Sequence, residues 1–521
     1  MFSMCALFKN RVKENVSQIY TENQENMEKS SKDSILRNVS QDDQKDFEEI
    51  LELHLGELIK RLQSDSLKAT TVLAAYQSKA LEVHKKTNSI VCWVEGAHER
   101  AEMLDSIKVK ERGPLHGIPV SVKEVYDIVD TYSTGGLAKF ARENVYKDSG
   151  AVDMIKKFGG VPFCKTNVPQ AMLSHQCSNS IYGTTTNPHG ENRECGGSSG
   201  GEGALIGGGG SVLGVGNDIG GSLRSPAAFC GCYSLKPTPR RDLSQCGIRN
   251  AAGAHPICIQ ALGGFLARTA SDLEEVWRIV WGSDRIRWDQ KSYEKKPKIG
   301  YYVTDGVLEP SSGSKRAVTE AVDKLKSAGF ETVEMDPPDM HQIMHYFRGI
   351  ILAEIDSDAL KENLSEDVVD SSLTSLLDAV QFYRLPWIIR SFLQYINKPV
   401  FPSKEGAFNN VVKLCKKASD VEVFTAEYLE KMDYLGVDII LCPAQLTPAP
   451  PTGVLGGFGA AVSPYVAWNV MKFPAGIAPI TKWSAEDEAA MVDYPTDKTE
   501  HWRIKAFSKG AIGLPLAVQV S

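Results

Sequence analysis

Ser198 and Ser222 bracket the most glycine-rich stretch of the chain, where 13 of the 26 residues from Gly196 to Gly221 are glycine. Core packing cannot account for that density, because glycine buries no side chain and costs conformational entropy. Such a backbone suits a place where peptide N–H groups must come close to a reacting group. Serines set within it point to hydroxyl chemistry. Acyl transfer needs a nucleophile, a proton acceptor and donors for an oxyanion. Ser222 follows Asp218-Ile219-Gly220-Gly221, a run that can turn several N–H groups toward one point, so Ser222 is the candidate nucleophile. The competing reading is a glycine-rich turn whose serines only cap backbone groups.

A serine hydroxyl needs a base. His175 and His189 stand near the stretch in sequence, and both read as surface residues. Lys123 is the better candidate. It ends the strand expected over Ile118 to Lys123, on the face opposite Val120 and Val122. A buried lysine with a lowered pKa is a base near neutral pH, and Ser198 would relay a proton between it and Ser222. The bland alternative for Lys123 is a solvated lysine at a strand end. Asp218 and Arg224 flank Ser222 and read as an ion pair that holds the loop.

Other ligand chemistries fit poorly. A phosphate-binding loop would end in Gly-Lys-Ser/Thr, which does not occur here. A dinucleotide fingerprint over Gly207 to Gly216 is a weak match in so glycine-rich a run. His341 and His345 are four apart, but Gln342 stands where a zinc protease needs glutamate. Cys230-Gly231-Cys232 has no second pair to complete a zinc site. No metal and no organic cofactor is expected.

The elements that position these residues follow an α/β pattern. Phe47, Ile50, Leu51, Leu55, Leu58, Ile59 and Leu62 form one apolar helical face, with a second helix from about Leu67 to Lys86. Gly203 to Ile206 reads as helix and Ser211 to Val215 as strand. Farther on, Lys298 to Tyr302 reads as strand, Ser314 to Ala328 as helix, and Val437 to Leu441 as strand. Alternating strands and helices predict a parallel or mixed central sheet. Residues 1–40 are polar and mixed in charge, and read as a mobile extension. The segment 375–402 is aromatic and aliphatic with Arg384, Arg390 and Lys398 spaced through it. It reads either as a helix pair in a membrane interface or as a core helix hairpin.

Bulk properties narrow the class. The 521 residues are 42% hydrophobic and 24% charged, as in ordinary globular proteins. A net charge of −7 argues against nucleic-acid partners. Eleven cysteines with no framework spacing read as reduced thiols. Met1 to Phe8 lacks the features of a secretory leader, and no stretch reaches the ~18 apolar residues of a membrane span. The expected setting is intracellular: cytoplasmic, or peripheral on the endoplasmic reticulum or another endomembrane.

These residues resemble the amidase signature family of serine hydrolases, within it the fatty-acid amide hydrolases. The resemblance is carried by Pro119-Val-Ser-Val-Lys-Glu124, Val168-Pro-Gln-Ala-Met172, Cys177-Ser-Asn179, Gly196-Gly-Ser-Ser-Gly-Gly-Glu-Gly-Ala-Leu-Ile206, Asp218-Ile-Gly-Gly-Ser-Leu-Arg224, Leu235-Lys-Pro-Thr238, Phe473-Pro-Ala-Gly476 and Gly513-Leu-Pro515. It implies an amidase signature fold, a large twisted mixed central β-sheet surrounded by α-helices, over residues 41–521. It also implies a triad of Lys123, Ser198 and Ser222, with a cis peptide before Ser198. The oxyanion donors would be the N–H groups of Ile219, Gly220, Gly221 and Ser222. Met172 would line the substrate site, and Ser199, Asp218 and Arg224 would support the loop. The implied substrate is a lipid amide, with 375–402 as a membrane-binding cap and a homodimer as a further expectation. Asn217 departs from the threonine of the family, and the chain stops within a strand that the family continues with a further strand and helix. The alternatives are another amidase or amidotransferase subunit of the same family, or an inactive lipid-binding form.

Overall fold

A computed structural model of the protein describes residues 2–35, 41–243, 246–285, 296–370, 373–374, 411–455 and 459–521. The whole segment 375–402 therefore lies outside the described residues, and so does the expectation placed on it.

Among the described residues thirteen strands form: β1 Ile90–Trp93, β2 Pro119–Lys123, β3 Val161–Thr166, β4 Ser178–Asn179, β5 Gly183–Thr184, β6 Leu213–Asp218, β7 Tyr233–Lys236, β8 Leu262–Ala267, β9 Ile299–Tyr301, β10 Thr332–Glu334, β11 Ile439–Pro443, β12 Ala475–Lys482 and β13 Pro515–Val520. Eleven of them make one sheet in the order β1-β3-β2-β6-β8-β7-β12-β13-β11-β9-β10. The sheet is mixed. β3, β2 and β6 run parallel, β6 through β13 to β11 pair antiparallel, and β11, β9 and β10 are parallel again. Fully buried strands such as β2, β3, β6 and β8 need cover on both faces, which the flanking helices supply.

The expected elements appear near their expected bounds, with two differences. The apolar face from Phe47 to Leu62 is carried by two helices, Gln41–Glu52 and Leu55–Gln63. The break is held from a distance. Asp272 Oδ1 accepts the N–H of Leu55 at 2.8 Å, and the Arg268 guanidinium takes the carbonyls of Leu51 and Leu53. The second difference concerns the first 40 residues. Phe2–Ile35 is a helix rather than a mobile polar extension. Val16 and Ile19 are buried against Val91, Ala138 and Ile181, and Asn23 donates to the Ile181 carbonyl at 2.9 Å. The apolar positions here are sparse, so the segment reads as polar, yet they fall on one face and find a complementary surface.

Parallel pairing places the carboxyl ends of β2 and β6 side by side, so Lys123 and Asn217-Asp218 emerge on one edge of the sheet. Beyond that edge the chain turns through Ile219 to Ser222 into the helix Arg224–Cys230. A buried ion pair holds the turn. Asp218 and Arg224 meet at 2.9 Å with both side chains fully buried. Asp218 also accepts the N–H groups of Gly221 at 2.8 Å and Leu223 at 3.1 Å. Arg224 reaches Gln519 Oε1 of β13 at 2.7 Å, and in the helix Ser463–Val470 it reaches the Tyr465 carbonyl at 2.9 Å and Asn469 Oδ1 at 2.5 Å. Burial works to raise the Asp218 pKa, but the Arg224 charge and hydrogen bonds outweigh it and hold the carboxyl below its ordinary range.

Asp218→Asn leaves the Arg224 charge buried without its counter-ion. It is expected to cost about 3–5 kcal/mol of stability, read as a lower urea midpoint. An unchanged midpoint would count against the pair as the anchor of the turn.

Candidate active site

Lys123 ends β2 and is fully buried. Its Nζ lies 2.7 Å from Ser198 Oγ and 2.8 Å from Asn217 Oδ1. The amine is not at the surface, so the solvated alternative fails. Burial pushes it down to about 7, against the raising influence of Cys177, Asp218, Glu202 and Glu124. Near neutral pH a substantial share of Lys123 is therefore an uncharged amine with a free lone pair.

Ser198 follows a cis Gly197–Ser198 peptide and precedes the helix Gly200–Gly207. Ser222 stands two residues before the helix Arg224–Cys230. The turns that carry the two serines are joined by backbone, since the Ser199 N–H donates to the Ser222 carbonyl at 3.1 Å. The Ser199 hydroxyl donates to the Asn217 carbonyl at 3.4 Å. Among the described residues no hydrogen bond joins the hydroxyls of Ser198 and Ser222. Both serines line one cavity of about 940 Å³. Met172, Leu173, Phe347, Ile351, Ile355 and Val462 are among its apolar walls.

The oxyanion set needs one correction. The N–H of Gly221 is committed to Asp218 at 2.8 Å, which makes Gly221 part of the scaffold of the turn. The N–H groups of Ile219, Gly220 and Ser222 have no acceptor among the described residues, and all three residues line the cavity. Gly221 has φ +107, and a Cβ on it would come within 2.6 Å of the Tyr465 ring, so both its conformation and its neighbour demand glycine.

Two residues left unassigned by the sequence belong to the site. Asn217 is the second hydrogen-bond partner of Lys123; its place beside Asp218 was visible, but its contact with Lys123 required the pairing of β2 with β6. His175, read as a surface residue, lines the cavity instead. Its Nε2 lies 3.2 Å from the Gly220 carbonyl. Burial pushes its pKa down to about 4, so the ring is neutral and its Nε2–H donates to the carbonyl, which can only accept. It steadies the peptide that precedes Gly221. Only its position relative to the folded turn reveals this.

Among the described residues no helix is long and apolar enough to cross a membrane. No three histidine, cysteine, aspartate or glutamate side chains among them gather as metal ligands.

The chain is 34% identical over 493 residues to fatty acid amide hydrolase 1 of Caenorhabditis elegans, covering 90% of this chain and 85% of that relative. It is 33% identical over 495 residues to fatty-acid amide hydrolase 1 of Sus scrofa, covering 91% and 83%. A solved structure of a fatty acid amide hydrolase superposes with a TM-score of 0.78 at 24% identity, covering 97% of this chain and 91% of that one, and supports the fold. The amidase family model matches residues 71–521, and with the mixed eleven-stranded sheet this places the chain in the amidase family.

Proposed function

We propose that this chain hydrolyses fatty-acid amides, such as N-acylethanolamines and primary fatty amides, with Ser222 as nucleophile, Ser198 as relay and Lys123 as base. The observation that carries the reading is a buried amine 2.7 Å from Ser198 beside a cavity that both serines share. The apolar walls of that cavity suit an acyl chain. The relatives named fatty acid amide hydrolase favour the same class of substrate.

In this reading the lone pair of neutral Lys123 takes the proton of Ser198 while one N–H stays on Asn217. Ser198 takes the proton of Ser222 as Ser222 Oγ attacks the amide carbon. The N–H groups of Ile219, Gly220 and Ser222 donate to the oxyanion; losing one such donor costs about 3 kcal/mol in the transition state. The proton returns through Ser198 to the leaving nitrogen, the C–N bond breaks, and the acyl group stays on Ser222. Water then attacks the ester, passes its proton along the same route, and releases the fatty acid. We also assign the apolar, basic-studded segment 375–402 to contact with the membrane in which such substrates dissolve.

Ser222→Ala is expected to lower turnover by about a millionfold and to abolish labelling by a fluorophosphonate probe; retained lipid amidase activity would refute the assignment. Since Lys123 must be neutral to act, kcat/KM should fall roughly tenfold per unit as pH drops below about 7. Lys123→Ala should lower the rate and move that limb to higher pH, and a native profile would remove Lys123 as base. Given a panel of N-acylethanolamines, primary fatty amides and short soluble amides, with products read by mass spectrometry, the protein should prefer the long chains. Equal turnover of the short amides would favour a general amidase. Replacing Ile388 and Ile389 by Asp should release the protein from liposomes, whereas undiminished binding would overturn the membrane assignment.

A further inference from the structure

Glu202 lies in the first turn of the helix Gly200–Gly207 and is fully buried. Each carboxyl oxygen has its own partner. Oε1 is 2.7 Å from Thr166 Oγ1 and Oε2 is 2.6 Å from Ser121 Oγ. Both partners frame Lys123. Ser121 precedes it by two residues in β2, on the same face, and Thr166 is its register partner in β3. Gly214 of β6 closes the other side, where a Cβ would stand 1.9 Å from Glu202 Oε2. Glu202 therefore ties the strand that carries Lys123 to the helix that starts just after Ser198.

Hydrogen-bond accounting favours a protonated carboxyl. Ser211 Oγ is 2.9 Å from the Leu213 carbonyl, which can only accept, so the proton of Ser211 goes there. Ser121 Oγ is 3.0 Å from Ser211 Oγ, so Ser211 can only accept from Ser121. A hydroxyl has one proton. Ser121 Oγ has three acceptors in reach, Glu202 Oε2 at 2.6 Å, Ser211 Oγ at 3.0 Å and the Leu213 carbonyl at 3.4 Å, and a proton on Glu202 is what lets Ser121 give its own to Ser211 while the 2.6 Å contact keeps one. With Oε2–H donating to Ser121 and Oε1 accepting from Thr166, a carboxylic acid is satisfied at both oxygens. A carboxylate would take the proton of Ser121 and leave the 3.0 Å contact between Ser121 and Ser211 without one.

We propose that Glu202 is a neutral carboxylic acid, a positioning residue that holds Lys123 against Ser198 while withholding a counter-charge from it. This rests on the reading of Lys123 as base. An ionised Glu202 would stabilise protonated Lys123 and remove the base. Burial acts in the same direction and pushes Glu202 up to about 8.

The other groups that face the pair do not replace it. Asp218 is matched by Arg224. Glu124 accepts the N–H groups of Thr134 at 2.5 Å and Gly135 at 2.9 Å. Cys177 faces Lys123, while Cys164 and Cys232 face Glu202, and burial raises the latter two so that both are neutral thiols.

Glu202→Gln reproduces the acid, its NH₂ donating to Ser121 and its carbonyl accepting from Thr166. Its kcat/KM should stay within about threefold of native, with the acid limb of the pH profile unmoved. A limb displaced to lower pH would show that a carboxylate had been sustaining the Lys123 charge, and would overturn the proposal. Ser211→Ala frees the proton of Ser121 for Glu202 and favours its ionisation, so the limb should rise by about half a pH unit; no rise would also overturn it. Infrared spectra of the native protein near pH 7 should contain a protonated-carboxyl band that Glu202→Gln lacks, and its absence would refute the assignment. That band is read without turnover, so it separates failure of this inference from failure of Lys123 as base.

Discussion

The site depends on one buried ion pair. Asp218 and Arg224 are fully buried at 2.9 Å, a placement whose desolvation cost is only offset when the remaining hydrogen-bonding capacity is filled. Here it is filled by elements far apart in the chain: Asn469 and Tyr465 from one helix, Gln519 from β13, and the N–H groups of Gly221 and Leu223. The pair therefore does more than join two residues of a loop. It fixes the end of β6 against the centre of the sheet and sets the direction of the turn that presents Ser222. The same carboxylate that shapes the turn takes the N–H of Gly221, which decides which peptide groups remain to face the cavity.

The second constraint is close approach. The helix after Ser198 lies so near the sheet that side chains are excluded where they meet. A Cβ on Gly201 would stand 2.3 Å from the backbone nitrogen of Asn167, and one on Gly216 would stand 2.7 Å from Ser199 Oγ. The glycine density is thus partly a packing requirement, through backbone contact rather than side-chain burial. That closeness puts Ser198 within reach of a lysine anchored in β2.

Much of this was legible in the sequence because it is local. The serines, their glycines and the Asp218–Arg224 spacing sit within one stretch, and β2 carries its own alternation. What was not legible depends on register. Asn217 meets Lys123 because β2 and β6 are parallel neighbours. Glu202 meets Ser121 and Thr166 because β3 lies on the other side of β2. Burial alone would not have picked out Lys123, since Lys165 and Lys236 are equally buried. Lys165 donates to Ser133 Oγ at 2.8 Å and the Tyr132 carbonyl at 2.5 Å, and Lys236 to the carbonyls of Phe473 at 2.5 Å and Pro237 at 3.1 Å. Lys123 differs in reaching a hydroxyl that lines the cavity. The helix Phe2–Ile35 was missed for a related reason: its few apolar residues gain meaning only from the surface they cover.

The same burial has opposite consequences for three ionisable groups, and the differences follow from their partners. Asp218 stays ionised because Arg224 compensates it. Lys123 has no carboxylate hydrogen-bonded to it, only Ser198 and an amide oxygen, and its charge is disfavoured. Glu202 has hydroxyl partners and no cation in hydrogen-bonding contact, so its charge is disfavoured as well. Environments that push titratable groups apart in this way mark acid and base assignments. With Glu202 neutral, the resting site holds one balanced ion pair and no other charge among Lys123, Ser198 and Ser222. In the proposed mechanism, attack by Ser222 then creates two charges together, a cation on Lys123 and an oxyanion before the peptide N–H groups. An anionic Glu202 would stabilise that cation already in the ground state and so weaken its contribution to the transition state, where differential stabilisation governs the rate.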